Sequence, residues 1–160
     1  MLERGHSESH KGGTMKPKGV NRVVVAVKDL EKAIDTYSKL LGATFHDVSA
    51  GSEQYGVKAA ISWDGGIELC APIPGRNSYI EQIIKKRGEG LMSVVFCVDN
   101  VEQACAQAKD MGVSVISSLD YDQKQIDEQL QGRFKKYKWY MLNAGGLCGV
   151  GAIIAQIEPK

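Results

Sequence analysis

The chain has 160 residues, of which 43% are hydrophobic and 24% are charged, and its formal net charge is +1 at pH 7. This length and composition are typical of one compact domain with its own hydrophobic core. The near-neutral charge, without a sustained basic stripe, argues against a nucleic-acid partner. No apolar run approaches the roughly 20 residues that span a bilayer, and the N-terminus has no apolar secretory core, so the sequence predicts a cytoplasmic protein without a membrane partner.

The N-terminal residues 1–18 mix Gly, Ser, His, Lys and Glu without periodicity. Such a composition buries too little apolar surface to offset the entropy of ordering, so a disordered leader is predicted. His6 and His10 fall inside this leader and are set aside as metal or catalytic candidates.

The sequence contains four cysteines, Cys70, Cys97, Cys105 and Cys148, and no Cys-x-x-Cys pair. All four lie in apolar sequence. In a cytoplasmic protein this pattern predicts free, buried thiols and argues against both disulfides and a zinc site.

The first ordered elements are predicted to be a strand and a helix. Val20–Val27 is a β-branched run that is apolar on both faces, as expected of a strand between a helix and an interior cavity. Asp29 can cap the following helix, and Gly42 can end it in the left-handed conformation. Turn residues then separate three further predicted strands, Phe45–Ser49, Gln54–Trp63 and Ile67–Ala71.

A degraded copy of this pattern begins at Met92–Val98, which is predicted to be a strand. Asn100 can cap the next helix and Gly112 can end it. Aligning the copies places Ser93 on Arg22, and an internal repeat of this kind predicts two similar halves. The remaining strands of the second half are predicted at Val113–Ser117, Phe134–Leu142 and Val150–Ile157.

These elements predict two βαβββ modules, at residues 19–75 and 91–160, joined by a linker helix at residues 76–90. The second module carries a polar insertion at residues 120–132, which is long enough to cover a cavity mouth. The insertion is predicted either to form a short helix around Ile126 or to remain a plain surface loop.

Three stretches carry a family resemblance: Val25–Ala33 with Leu41–Gly42, Ile67–Leu69 before Pro72, and Arg87–Gly90 leading into Val94–Asp99. They resemble the vicinal oxygen chelate superfamily, which includes glyoxalase I, methylmalonyl-CoA epimerase, extradiol dioxygenases and bleomycin-resistance proteins. Within that group the sequence is most similar to the epimerase and glyoxalase branch.

The resemblance extends roughly from Gly19 to Pro159. It implies an α+β fold in which two tandem βαβββ modules form curved sheets around a shared cavity for a small-molecule ligand. Relatives often form dimers, and the apolar strand faces here permit a homodimer without requiring one.

In this family a divalent metal is usually bound by one His, Gln or Glu side chain from each of four strands. The resemblance places Arg22, Glu68 and Ser93 at three of those positions. A guanidinium offers no lone pair to a cation, and only Glu68 matches the family pattern. We therefore expect neither a metal nor another cofactor.

The fourth metal-ligand position lies in the last strand, where the register is open. Alignment from Pro159 places Ala155 there, and alignment from Gly149 places Ile153 there. Neither side chain binds metal. A slip of one residue would instead turn Gln156 inward and partly restore a site.

Arg22 and Glu68 are the candidate catalytic residues. If their strands are adjacent, the guanidinium takes the place of the metal, and the carboxylate can pair with it bidentately. One interpretation is a structural ion pair that keeps Glu68 from being an uncompensated buried charge. The other is that Arg22 binds a carboxylate, enolate or phosphate of a ligand while Glu68 acts as a general base.

Strand alternation from these positions places Ser93, Cys70 and Cys97 on the cavity face, as candidate ligand-binding residues. No His lies near Cys97 in the sequence to activate it, so a packing role is the simpler interpretation of the thiols. Ser93 either donates to a ligand oxygen or leaves room where relatives have a His.

Aromatic residues on the strands could line a pocket, with core or dimer packing as the alternative. The aromatic strand residues are Tyr55, Trp63, Tyr137, Trp139 and Tyr140. Of these, Trp63 and Tyr140 are taken as the ligand-binding candidates.

Three functions are consistent with these features, and catalysis is preferred although the sequence leaves it open. The first is a metal-independent isomerase, epimerase or lyase that acts on a small organic acid, acyl thioester or aromatic compound. The second is a non-catalytic ligand-binding or drug-sequestering protein of the bleomycin-resistance type. The third, which Arg22 and Ser93 argue against, is a divalent-metal-dependent epimerase or lactoylglutathione lyase.

Overall fold

The computed structural model describes residues 16–160 of the chain. His6, His10 and most of the predicted leader lie outside the described residues, and β1 begins at Pro17, so the last two leader residues belong to a strand. The bounds of the strands and α-helices are β1 (Pro17–Ala26), α1 (Leu30–Leu41), β2 (His46–Asp47), β3 (Val57–Ser62), β4 (Ile67–Pro72), α2 (Tyr79–Arg87), β5 (Gly90–Val98), α3 (Val101–Asp110), β6 (Val115–Tyr121), α4 (Gln123–Gln129), β7 (Phe134–Leu142) and β8 (Gly151–Pro159).

The strands form one eight-stranded sheet in the order β2-β3-β4-β1-β5-β8-β7-β6. Within the halves, β1 pairs in parallel with β4, and β5 pairs in parallel with β8. The halves meet where β1 and β5 run antiparallel. The sheet therefore consists of two βαβββ modules curled around a common interior, which confirms the predicted α+β fold.

Side-chain caps set the ends of the two long helices on the outer face of the sheet. Asp29 accepts a hydrogen bond from Lys32 N at the start of α1, and Gly42 ends this helix with φ 66°. Asn100 caps α3 in the same way by accepting from Gln103 N. These oxygens satisfy N–H groups that the first helical turn leaves unpaired, which is why the sequence located both starts. No helix within residues 16–160 is long and apolar enough to cross a membrane.

Two strands of the first module, β2 and β3, are shorter than the sequence predicted. β2 ends at Asp47, whose carboxylate accepts from Ser49 N at 2.8 Å and turns the chain. Two 3-10 turns, at Ser49–Gly51 and Glu53–Tyr55, then replace the expected start of β3. These turns border the interior that the curled sheet encloses, so irregular backbone replaces strand at the edge of that interior.

The insertion in the second module forms a helix, α4. Asp122 and Gln125 make a reciprocal capping box at its start. Ile126 and Leu130 are buried against Tyr137. The helical interpretation of the insertion is therefore confirmed, because the short helix has both a cap and an apolar face.

The helices pack on both faces of the sheet. On the outer face, α1 covers a cluster that includes Leu69, and α3 covers one that includes Val98. On the inner face, Val24 and Val95 belong to a cluster that Ile80 of α2 joins. The linker helix α2 thus covers part of the inner face and leaves the rest open to a cavity.

β5 and β8 approach each other closely at Gly151. This residue pairs with Ser93, and the register of β1 against β5 shifts nearby, between Val24 and Val25. A Cβ atom at position 151 would lie 2.5 Å from Met92 O and 3.1 Å from Ser93 Cβ. The two strands can therefore meet here only because residue 151 has no side chain.

Gly151→Ala is expected to lower the free energy of unfolding by about 1–3 kcal/mol, because the backbone of β5 or β8 must move to admit the methyl group. Urea denaturation followed by circular dichroism measures the loss. Gly145→Ala is the matched control, since the nearest atom to its Cβ is the side-chain Oδ1 of Asn143 at 3.3 Å. A loss at position 145 as large as that at position 151 would contradict the strand-contact explanation.

Candidate functional site

The inner face of the curled sheet encloses a cavity of about 690 Å³. Strands of both modules line it, and α2 and the 3-10 turns of the first module border it. Most lining side chains are apolar, as is usual for small-molecule sites. Glu68 is the only acidic residue among the lining side chains of residues 16–160, so a carboxylate meets the cavity at one point.

Arg22 and Glu68 form a buried ion pair in the cavity wall. Arg22 Nε lies 2.7 Å from Glu68 Oε2, and the two side chains are 3% and 16% exposed. The pair is monodentate, not bidentate as the sequence suggested. The reason is that Arg22 Nη1 donates to Asn21 Oδ1 at 2.7 Å, and Nη2 donates to Tyr137 Oη at 2.9 Å. All three guanidinium nitrogens therefore bond to protein groups.

The charges in this cluster follow from burial and from the partners of Arg22. Burial alone lowers the pKa of Arg22, but Tyr137 and the Glu68 carboxylate more than reverse this effect and raise it above its ordinary value. Burial raises the pKa of Tyr137 to about 12, although the positive charge of Arg22 opposes that shift. At neutral pH the cluster thus contains a cationic guanidinium and a neutral phenol.

Ser93 lies across Val24 from Glu68. Both are register partners of Val24, Glu68 through β4 and Ser93 through β5. Two strand spacings put their Cα atoms about 10 Å apart. Ser93 is 3% exposed, and its Oγ has no hydrogen-bond partner among the described residues. An unpaired buried hydroxyl is costly, so this oxygen is available to a ligand atom.

The two candidate thiols have different positions. Cys70 lines the cavity, and its Sγ donates weakly to Glu68 Oε1 at 3.7 Å. Burial, followed by the charge of Glu68, raises the pKa of Cys70 well above its usual value. The prediction that Cys97 lines the cavity is wrong. This residue is half-buried and lies outside the cavity lining, because it is farther along β5, beside Gly19.

The two aromatic candidates also lie outside the cavity lining, which corrects the expectation from the sequence. Trp63 packs edge-on against Tyr137, with ring centroids 6.3 Å apart. Tyr140 faces α3, where its hydroxyl donates to Glu102 Oε2 at 2.9 Å. Side chains alternate along β7, so Trp139 lines the cavity and its neighbour Tyr140 points outward.

Ile153 is the counterpart of Glu68 in the second module. β5 pairs Val95 with Ile153, as β1 pairs Val24 with Glu68. Gln156 points away from the cavity, since its Oε1 accepts a hydrogen bond from the backbone at the start of α3. The alignment that chose Ile153 is therefore correct, and the one-residue slip that would turn Gln156 inward is wrong.

The side chains at the four metal-ligand positions do not suit a divalent cation. Arg22 brings a positive charge without a lone pair, Ile153 has no polar atom, and Ser93 offers only a neutral hydroxyl. Glu68 alone is an ordinary ligand, and its Oε2 already accepts from Arg22. Within residues 16–160, no group of three or more His, Cys, Asp or Glu side chains is arranged to hold a metal ion.

A sequence profile identifies the family to which this arrangement of modules belongs. The profile of the Glyoxalase/Bleomycin resistance protein/Dioxygenase superfamily matches residues 21–128. The chain belongs to this superfamily. The match includes the first module from residue 21 onward and the strand that carries Ser93, so the sequence resemblance is confirmed. None of the curated proteins compared with the chain matches it.

Solved structures with the same fold include methylmalonyl-CoA epimerases. The enzyme from Mycobacterium tuberculosis is 24% identical, with a TM-score of 0.66 and 94% of each chain covered. A Streptomyces coelicolor methylmalonyl-CoA epimerase variant in complex with 2-nitronate-propionyl-CoA is 21% identical, with a TM-score of 0.66, covering 88% of this chain and 98% of that one. A hypothetical protein from Bacillus halodurans C-125 is 20% identical, with a TM-score of 0.68 and coverage of 88% and 95%. At these identities the likeness shows the fold.

Tyr137 is the site residue that the sequence did not single out. In the sequence it is one of several strand aromatics, and 115 positions separate it from Arg22. Alternation along β7 could have placed it inward with Trp139. Its hydrogen bond to Arg22, however, depends on the curl of the sheet, which brings β7 near β1 although the two strands are not neighbours.

Arg22→Met is expected to lower the free energy of unfolding by about 3–5 kcal/mol, because it leaves Glu68 without a countercharge and Tyr137 without its donor. The matched control is Lys39→Met at the ion pair with Asp35, whose side chains are 75% and 61% exposed. That change should cost less than about 1 kcal/mol. Urea denaturation compares the two variants, and equal losses would mean that the buried pair contributes no more than an exposed one.

Thiol reactivity tests the burial of Cys70. Cys148 is exposed, unlike the buried thiol that the sequence predicted. At about pH 8, Ellman's reagent should modify Cys148 quickly, and Cys70 on the order of 100-fold more slowly, because a raised pKa leaves little thiolate. Guanidinium should expose all four cysteines. Cys148→Ser should remove the fast phase, and rapid modification of Cys70 in the folded protein would contradict this arrangement.

Proposed function

We propose that this protein is a metal-independent proton-transfer enzyme, an isomerase or epimerase of small carbonyl compounds, in which Glu68 is the general base. The observation that carries the proposal is the Glu68 carboxylate, set in an apolar cavity wall and paired through Oε2 with a buried arginine. Among residues 16–160, its other oxygen, Oε1, receives only the weak contact from Cys70. That oxygen is free to accept a proton from a molecule in the cavity.

The proposed reaction begins with a substrate whose carbonyl carbon lies near Val24, between Glu68 and Ser93. Glu68 Oε1 takes the proton from the carbon next to the carbonyl. The electron pair of that C–H bond forms a carbon–carbon double bond, and the carbonyl π pair moves to oxygen, giving an enolate. Glu68 then returns the proton: return to another carbon completes an isomerisation, and return to the same carbon after the enolate has turned its other face to Glu68 completes an epimerisation.

Arg22 and Ser93 have separate supporting roles in this proposal. Arg22 fixes the Glu68 carboxylate and supplies the positive charge that the enolate needs, although its three nitrogens stay bonded to protein groups. The unpaired hydroxyl of Ser93 can donate to a polar atom of the substrate and orient it over Val24. Cys70 is a packing group, since its raised pKa makes it a poor nucleophile.

Two further observations support this assignment. The four metal-ligand positions contain a guanidinium and an isoleucine, so the chemistry is assigned to protein side chains. One protein with this fold is a methylmalonyl-CoA epimerase variant in complex with 2-nitronate-propionyl-CoA. Acyl thioesters are therefore one substrate class to test, beside 2-oxo acids and aromatic ketones.

Glu68→Gln is expected to abolish proton exchange while preserving ligand binding. Wild-type protein in D₂O is incubated with panels of acyl-CoAs, 2-oxo acids and aromatic ketones, and mass spectrometry follows deuterium entering next to the carbonyl. The variant should lose at least about 100-fold in exchange rate, as expected for removal of a general base. Any compound that raises the Tm of the wild type should still raise that of the variant.

The matched control is Glu31→Gln, which makes the same chemical change on the exposed face of α1 and should leave the exchange rate unaltered. Exchange that persists in Glu68→Gln would exclude Glu68 as the base.

A second candidate function is non-catalytic binding of a small molecule, and the mostly apolar lining of the cavity favours it. Such a protein would show Tm increases with one compound class but no deuterium exchange with any member of it. The Arg22–Glu68 pair would then be a structural ion pair in the wall of the cavity.

A further inference from the structure

The hydroxyl group of Tyr137 has an unused proton. Tyr137 lies on β7, lines the cavity and is 3% exposed. Its Oη accepts a hydrogen bond from Arg22 Nη2 at 2.9 Å. A phenol can also donate its own O–H, and within residues 16–160 no acceptor takes that proton. The donor is therefore left for a molecule in the cavity.

The charged partner of Tyr137 strengthens this O–H as a hydrogen-bond donor. The hydrogen bond that Tyr137 accepts comes from a charged guanidinium, and a hydrogen bond received in a low-dielectric site strengthens the one that the same group donates. Burial also raises the pKa of the phenol to about 12, so the proton is present at neutral pH.

We propose that Tyr137 donates a hydrogen bond to the ligand oxygen on which negative charge develops, and is thus a catalytic residue. Its ligands are compounds with one carbonyl or phenolic oxygen on an apolar body. The catalytic part of this assignment rests on the proposed proton transfer, whereas the hydrogen bond itself requires only a ligand oxygen in the cavity.

The position of Arg22 explains how base and donor work together. Its Nε lies 2.7 Å from Glu68 and its Nη2 lies 2.9 Å from Tyr137, so one cation serves both groups. When Glu68 takes a proton it becomes neutral, and Arg22 loses its countercharge. The negative charge that forms on the ligand oxygen beside Tyr137 then replaces it. The net charge around Arg22 is the same before and after the transfer, and little reorganisation is needed.

Neighbouring rings hold Tyr137 in place. Tyr121 stacks on it with ring centroids 5.9 Å apart, Phe134 lies tilted against it at 5.5 Å, and Trp63 meets it edge-on at 6.3 Å. A ring packed on several sides keeps its hydroxyl group in one position. Such preorganisation is what a donor to a short-lived enolate requires.

The experiment uses 4-nitrophenol, whose phenolate resembles an enolate in shape and charge and whose absorbance separates phenolate from phenol. Glu68→Gln removes the competing carboxylate while Arg22 keeps its charge, so this variant should bind the phenolate more tightly than the wild type. Adding Tyr137→Phe to that variant should weaken binding about tenfold and lower the bound phenolate fraction, because one hydrogen bond to an anion is lost.

Tyr121→Phe in the same Glu68→Gln background is the matched control. It also removes a phenolic hydroxyl from the cavity lining, but one that has no hydrogen bond to Arg22 among the described residues. With Tyr121→Phe added, the affinity for 4-nitrophenol and the bound phenolate fraction should stay within about twofold of the values for Glu68→Gln alone. The proposal would be overturned if the Glu68→Gln/Tyr137→Phe double variant bound 4-nitrophenol as tightly as Glu68→Gln. It would also be overturned if Glu68→Gln itself did not bind 4-nitrophenol.

A second measurement covers the case in which Tyr137→Phe does not fold because Arg22 loses a partner. 3-Fluorotyrosine placed at position 137 keeps the hydroxyl group, and its ¹⁹F resonance should shift when 4-nitrophenol binds. The same label at position 140, where the native hydroxyl donates to Glu102, should not respond. A label at position 137 that does not respond to bound 4-nitrophenol overturns the proposal.

These outcomes are distinguishable from failure of the proposed function. Loss of phenolate binding in Tyr137→Phe, together with no deuterium exchange by the wild type, would leave Tyr137 as a ligand donor in a non-catalytic binding protein. Loss of deuterium exchange in Glu68→Gln, with undiminished phenolate binding in the Glu68→Gln/Tyr137→Phe double variant, would support Glu68 as the general base and reject Tyr137 as the hydrogen-bond donor.

Discussion

A buried arginine determines how the interior of this protein is built. Arg22 is 3% exposed, and a guanidinium cannot give up its proton to escape the cost of burial. It is tolerated because Glu68 supplies a countercharge, and because Asn21 and Tyr137 accept from its remaining nitrogens. These partners come from β1, β4 and β7, so one side chain connects the two modules through the cavity wall. The Glu68 carboxylate and the Tyr137 hydroxyl are held in that wall by their hydrogen bonds to Arg22.

The cluster also explains how a superfamily scaffold can contain a different centre. The curled sheet brings four strand positions around one cavity, and here they carry Arg22, Glu68, Ser93 and Ile153. A metal ion offers open coordination positions to oxygen ligands. A guanidinium instead has fixed N–H directions, and here each of its nitrogens is bonded to the protein. Beside the arginine, the groups that line the cavity include the carboxylate of Glu68, the hydroxyl of Ser93 and the phenol of Tyr137.

Local patterns in the sequence were sufficient for the fold and for part of the site. The caps at Asp29 and Asn100 and the turn at Gly42 depend on neighbouring residues only, so they were predicted correctly. The Arg22–Glu68 pair followed from the family resemblance, which places both residues at metal-ligand positions around one cavity. Trp63, Tyr140 and Cys97 were placed in the cavity by strand membership or alternation. Strand membership does not specify the face on which a side chain lies, and alternation does not show where along the strand the cavity ends.

The sequence by itself therefore determined the two modules and the long helices, because each depends on short-range periodicity or on the internal repeat. The family resemblance added which side chains stand at the metal-ligand positions. Only the tertiary structure decided that the Arg22–Glu68 pair is monodentate and that Tyr137 completes the cluster. The physical reason is the curl of the sheet. It brings β7 within hydrogen-bonding distance of β1 although β5 and β8 lie between them, and no local pattern specifies that curvature.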